Sequence, residues 1–189
     1  MFVFLWIAFN STYGSRDAGD ESDRTEHAGI NAFLDELVSA DAHGTLYVAL
    51  RSCSGVIRNL LDNKQIYWRN VRNQAGDRGY GDWQRWFRQE NNKTLRSLER
   101  MSNPEHAKTV LAVVFDRLRT LRNLLIHGQI SWRSRVTDPV VDTAARLLME
   151  IVPVFVQLMI DNRDRVWGEP STYPDIFRQE RIDPKPPSQ

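Results

Sequence analysis

One short run in this chain has residue types and spacing that could do chemistry: Arg122-Asn123-Leu124-Leu125-Ile126-His127-Gly128. It places a guanidinium, an amide and an imidazole at the end of a long apolar helix. Asn123 and His127 stand four apart, so they share a helix face and are spaced to hydrogen-bond and fix the imidazole tautomer. The partial negative charge of a helix C-terminus favours the imidazolium, which suits general acid–base work. Arg122 lies about 140° around the helix from His127. Convergence of the two therefore calls for a long Arg side chain, a frayed last turn or a second copy of the helix across a two-fold axis. The chemistry open to such a set is RNA cleavage without a metal. His127 would take the proton from a ribose 2′-hydroxyl or give one to the leaving 5′-oxygen. Arg122 would stabilise the charge building on the phosphorane, and Asn123 would orient the imidazole or hold a phosphate oxygen. The product would be a cyclic phosphate.

Spacing alone carries little weight in a chain with 21 Arg and four His. Arg followed by His four to six positions later arises roughly once by chance, and Arg100 with His106 is such a pair. Requiring Asn directly after the Arg, at fixed spacing, lowers the chance to roughly 0.03. Arg58-Asn59-Leu60-Leu61-Asp62-Asn63 begins in the same way and lacks the His, so it serves as an internal control. The competing structural reading pairs Arg122 with an acid and leaves His127 as a helix cap.

The elements that must position this run are helical. Asn103-Pro104-Glu105 reads as a helix start, with Asn as N-cap, Pro at the first helical position and an acid in the first turn. Val110, Val113, Val114, Leu118, Leu121, Leu124 and Leu125 then keep a helical stripe, and Gly128 suits a left-handed cap after His127. Thr137-Asp138-Pro139 repeats the start signal. The helix that follows is apolar on more than one face, which marks it as central, and Pro153 is expected to bend it. Upstream, Ile30, Phe33, Leu34, Leu37 and Val38 predict an amphipathic helix. Leu46, Leu50, Ile57 and Leu61 predict one helix from about 44 to 61, and Asp82 predicts an N-cap for a helix carrying Trp83, Trp86 and Phe87. Residues 14–29 read as a polar, acidic loop, and residues 63–82 as an irregular connection. No run alternates with period two, and no repeat implies a solenoid. The class is all-α, most simply a helical bundle with two long core helices over residues 1–168. Residues 169–189 form an irregular, Pro-rich tail.

Composition bounds the rest. The 189 residues suit one domain, and the single Cys, Cys53, excludes an internal disulfide and a Cys-rich zinc site. No His-x-x-x-His and no carboxylate pair joined to His points to a metal, and no cofactor motif is present. A net charge of +1 argues against a protein that coats nucleic acid over its whole surface. The charge is unevenly spread, however. Residues 1–42 carry two Arg and eight acids, a net of −6, while residues 64–135 carry 15 basic and six acidic residues, a net of +9. Cross-fold pairing accounts for part of that dipole. The Arg excess over four Lys fits both codon bias and planar recognition of phosphate. Trp68, Trp83, Trp86 and Trp132 lie in the basic middle and could stack bases, although Trp83 and Trp86, three apart, suit a core face better. The apolar start, Met1 to Phe9, lacks the basic flank of a signal peptide and is too short to span a bilayer. It reads as a core helix whose buried face begins at once, so the native start is expected upstream of Met1. No membrane partner and a cytoplasmic location follow as expectations.

An Arg-Asn-x-x-x-His motif near the end of a long helix, in an all-α chain, resembles the HEPN superfamily. Further likeness lies in Trp6-Ile7-Ala8-Phe9-Asn10 with Tyr13, in Val114-Phe115-Asp116-Arg117-Leu118 with Leu121-Arg122-Asn123, and in Val152-Pro153-Val154-Phe155 with Leu158-Met159. It covers most of residues 1–168. The resemblance implies a small helical bundle that acts as a homodimer, with Arg122 and His127 at the family's paired positions and Asn123 at its usual polar position. Two protomers would then bring these residues together. It implies a metal-independent endoribonuclease with RNA as partner, of the kind found among toxins and phage-defence effectors. A separately encoded antitoxin or nucleotidyltransferase is a further implied partner. The resemblance equally covers inactive relatives, so two alternatives stand beside the nuclease. One is a helical module that binds RNA, nucleotide or a partner protein. The other is a dimerisation unit that docks through its Trp-rich surface.

Overall fold

Apolar side chains at helical spacing build eight helices and no strand among the described residues, which are 1–13, 23–75, 82–130, 138–165 and 167 of the computed structural model. The fold is all-α. The helices are α1 (Phe2–Tyr13), α2 (Asp23–Ala40), α3 (Thr45–Ser52), α4 (Ser54–Leu61), α5 (Lys64–Ala75), α6 (Trp83–Glu99), α7 (Pro104–Ile126) and α8 (Asp138–Asp161). The two long helices organise the others. α1 lies along α8, with α4 and α3 also against it. α6, α2 and α5 gather around α7, and α2, α3 and α4 touch both long helices.

An aromatic cluster fastens the two halves. Phe9 of α1 lies 4.6 Å from Phe115 of α7 and 6.2 Å from Phe155 of α8, and Phe115 and Phe155 are 5.7 Å apart. Phe33 of α2 meets Phe155 at 6.1 Å, and Trp6 lies 6.5 Å from Phe115. All five are buried. Burying each such side chain stabilises the fold by about 1.5–3 kcal/mol, with a further edge or offset term between rings. α8 is long and apolar enough to cross a membrane by length and composition alone. Its inner residues, from Val140 through Ala144, Leu147 and Ile151 to Leu158, are buried against the other helices, as in the core helix of a bundle.

The start of α7 is as the residues predict. Asn103 is extended, its side-chain oxygen accepts from the His106 amide at 3.0 Å, and Pro104 occupies the first turn. α8 runs through Pro153 without a break in the helix, and that ring lies on the exposed side. Three boundaries differ from expectation. α2 begins at Asp23, so residues 23–29 are helical rather than loop. The expected helix over 44–61 is two, parted at Cys53, where the Cys53 and Ile57 amides bond to Ala49 and to Cys53 itself. The leucines hold one helical period across that break, which is why the pattern hides it. The expected connection over 63–82 contains α5, whose first turn is capped by the Asn63 side chain accepting from the Ile66 amide at 3.0 Å. Asp82 stands at the N-cap of α6 but makes no side-chain cap bond. Trp83 is half-buried against Trp68 (5.6 Å) and Tyr67 (6.5 Å), whereas Trp86 points away from the core and is 39% exposed. Trp132 and the Pro-rich tail lie outside the described residues.

Candidate functional site

The second half of α7 carries polar residues where the helix is otherwise packed in apolar side chains. Asp116, Arg117, Arg119, Thr120, Arg122 and Asn123 are all buried or half-buried. By helix geometry Asp116, Thr120, Asn123 and His127 fall on one line, with Arg119 beside it and Arg122 further round. A buried polar residue costs stability unless it is paired, so each partner matters.

The first turns of α2 supply several of those partners. Glu26 forms an ion pair with Arg122, and the Arg122 guanidinium also lies over the Trp6 ring, 5.4 Å from its centroid. His27 sits one residue on. Asn31, one turn along α2, donates its amide N–H to His27 Nε2 at 3.0 Å. That leaves the imidazole proton on Nδ1, which faces Asp116 Oδ1 at 3.6 Å. Asp116 is also reached by Arg119 Nη2 at 3.4 Å and Arg117 Nη1 at 3.6 Å. One carboxylate thus stands among an imidazole and two guanidiniums.

The network continues into α6. Arg117 is fully buried, is bonded to Glu90, and stacks 4.5 Å over the Tyr67 ring. Burial pushes the Glu90 carboxyl above the ordinary carboxylate range; Arg117 pulls it back in part, and Asp116 adds to the rise. Burial likewise raises the Tyr67 hydroxyl, with Glu90 adding to the shift and Arg117 opposing it. Among the described residues no group of three His, Cys, Asp or Glu could hold a metal ion.

The sequence-predicted site residues fall as follows. Arg122 is held toward α1 and α2. Asn123 is half-buried, and its carbonyl accepts the His127 amide at 3.0 Å. His127 is the C-cap of α7, exposed, and its ring makes no hydrogen bond to a described residue. The link between Asn123 and His127 is therefore through the backbone, not between side chains as their spacing suggests. His127 stands one residue past the end of α7 and is exposed, whereas Asn123 is half-buried within the helix. The Gly128 amide bonds to Leu125 (3.3 Å) and the Gln129 amide to Leu124 (2.9 Å), with Gly128 left-handed at φ 64°. One protomer brings Arg122 to Glu26 and does not bring it to His127.

Sequence reading missed Glu26, His27 and Asp116. The acidic run around the first two and Gly29 suggested a loop, and Asp116 stood in α7 with no sign of the partners that α2 brings to it. The overlooked signal is Asp23-Arg24-Thr25-Glu26, an acid followed three residues later by Glu, just ahead of the apolar stripe that begins at Ile30. Comparisons with family models, with curated proteins and with solved structures find no match to this chain.

Proposed function

We propose that the chain is a metal-independent RNA endonuclease of the HEPN type. It acts as a homodimer in which Arg122 of one protomer faces the partner's His127. The observation that carries the reading is the polar line of α7, set in an apolar bundle and ending on the exposed ring of His127. Titratable groups held away from their ordinary values gather at functional sites, and Glu90 beside this line is one. His127 removes the ribose 2′-hydroxyl proton; the 2′-oxygen attacks phosphorus, the bond to the 5′-oxygen breaks, and that oxygen takes a proton. The ends are a cyclic phosphate and a 5′-hydroxyl. Arg122 exchanges Glu26 for the more highly charged phosphorane, and Trp6 keeps the guanidinium plane in place through that exchange. A toxin or phage-defence setting, a separately encoded antitoxin or nucleotidyltransferase, and a cytoplasmic location belong to the same reading.

The test is cleavage of a mixed RNA pool in EDTA by wild type and by His127→Ala. Wild type should leave cyclic phosphate ends, and the variant should be slower by about 10²–10⁴-fold, the usual worth of a general acid–base group. Equal cleavage by both proteins removes the mechanism. A second reading, an inactive helical module that binds RNA, nucleotide or a protein, is favoured by one observation: Arg122 is already satisfied by Glu26 and Trp6. Cleavage by neither protein selects that reading.

A further inference from the structure

α6 carries a row of side chains that none of the foregoing uses. Trp86, Gln89, Lys93, Arg96 and Arg100 repeat at spacings of three and four, so they line one face of the helix and its C-cap. The opposite face, with Phe87, Asn91, Thr94 and Leu98, is buried. Every member of the row is exposed, Trp86 to 39%. Arg85 and Arg88 flank it.

The row is cationic because the acids within α6 are engaged elsewhere, and Asp82 at its N-cap is about 16 Å along the helix from Lys93. Glu90 is bonded to Arg117 of α7, and Glu99 is bonded to Arg58 of α4 at 2.8 Å. Glu105, across the turn, faces Lys108 at 4.0 Å. Arg85, Arg88, Lys93, Arg96 and Arg100 form no ion pair with a described residue. At its far end the row opens into a cleft of about 360 Å³ lined by Lys93, Arg96, Ser97, Arg100 and His106. His106 Nδ1 donates to the Arg100 carbonyl at 2.8 Å, since a carbonyl can only accept, and this fixes the ring across the turn from α6 into α7.

We propose that this face of α6 binds single-stranded nucleic acid, with Lys93, Arg96 and Arg100 on successive phosphates and Trp86 stacked on a base. From Trp86 to Arg100 the row is about 21 Å long. A segment of about four to six nucleotides covers that length. Cations alone would take any polyanion; an exposed indole in the same row selects a strand whose bases are unpaired. The row lies on the outer face of α6, opposite the side that packs on α7, and its cationic end sits at the start of α7, about 30 Å by the helix rise from His127. The proposal therefore stands without the cleavage reading.

The experiment is fluorescence anisotropy with labelled 12-nucleotide RNA and DNA single strands and the matching duplex, titrated across salt. The intact chain is used in every arm. Both single strands should bind, and the duplex should bind at least fivefold more weakly. Lys93→Gln with Arg96→Gln and Arg100→Gln should weaken single-strand binding more than tenfold. The same variant should make the salt dependence of log K shallower by about two, the release expected for three lost phosphate contacts. Trp86→Leu should weaken binding by about fivefold or more with the salt slope unchanged. Arg146→Gln on α8 is the control for loss of a cation elsewhere, and the DNA strand, which has no 2′-hydroxyl, reads binding apart from cleavage. Circular dichroism melts check that each variant is folded. Unchanged affinity and slope in the folded triple variant overturn the proposal. So does a duplex bound as tightly as the single strands.

Discussion

Arg117 has no solvent exposure, and its Nε and Nη1 make no hydrogen bond among the described residues. Its charge is carried by Glu90, by Asp116 and by the Tyr67 ring, so three helices depend on one guanidinium. A buried pair of this kind adds little net stability but is costly to break, because the remaining charge stays in the interior. Glu90 is the more exposed partner, and its carboxyl is raised by burial against the pull of Arg117. The ionised form is therefore harder to hold in the folded chain than in the unfolded one. Its proton-linked stability is complete below the ordinary carboxylate range and is lost as pH rises through the raised folded value. Glu90→Gln is neutral and keeps an acceptor oxygen for Arg117, so at low pH, where Glu90 is also neutral, it should match wild type to within about 1 kcal/mol. The variant should then become the more stable of the two as pH rises above the ordinary Glu range, in thermal melts taken from about pH 4 to 8. Wild type gaining on the variant as pH rises would mean that Arg117 outweighs burial.

At the scale of elements, the end of α7 decides where the His127 ring goes. Gly128 is left-handed, and a Cβ there would meet nothing within 4 Å. Gly128→Ala should therefore cost backbone strain alone, about 1 kcal/mol, seen as a fall in Tm of about 3 °C. Gly128→Asn should recover part of it, since Asn tolerates the left-handed region. An Ala variant as stable as wild type would show that this cap is not needed. Such ends were legible in the sequence because cap chemistry is local: Asn103-Pro104-Glu105 and His127-Gly128 bound α7 without help from the rest of the fold. The break at Cys53 was not legible, since Leu46, Leu50, Ile57 and Leu61 keep their period through it. α5 was not, because few of its residues are apolar and its order comes from Ile66 and Tyr67 packing under α7. Arg122 was legible from its motif. Its partner Glu26, nearly a hundred residues away, was not, because only the crossing of α2 over α7 makes them neighbours.

On the scale of the molecule, the uneven charge of the sequence is partly cancelled by folding. Glu26 meets Arg122, Asp35 meets Lys108 at 3.5 Å and Glu36 meets Arg165 at 2.6 Å, so acids of the N-terminal part pair with two cations of α7 and with one just past α8. What it does not reach is α6, which keeps its cations. A second imbalance is apolar. Phe4 and Ile7 on the outer side of α1 are 75% and 56% exposed, and Met149, Val156 and Ile160 are exposed along the outer side of α8. α1 is also the helix whose Trp6 supports Arg122, so a second copy seated on that side would lie next to the site. The dimer reading then has a test that no single protomer can imitate. Arg122→Ala and His127→Ala should each slow cleavage by about 10²-fold or more as pure proteins. Mixed and allowed to exchange, half of the dimers are hybrids, and each hybrid holds one intact Arg122–His127 pair and one doubly disabled pair. Equal mixtures should regain about a quarter of wild-type activity. Phe4→Glu with Ile7→Glu in both chains should leave the monomer folded, shift the dimer to monomer by sedimentation, and remove the rescue. A mixture that stays inactive although hybrids are demonstrated by mass spectrometry would place both residues in one protomer or neither in the chemistry.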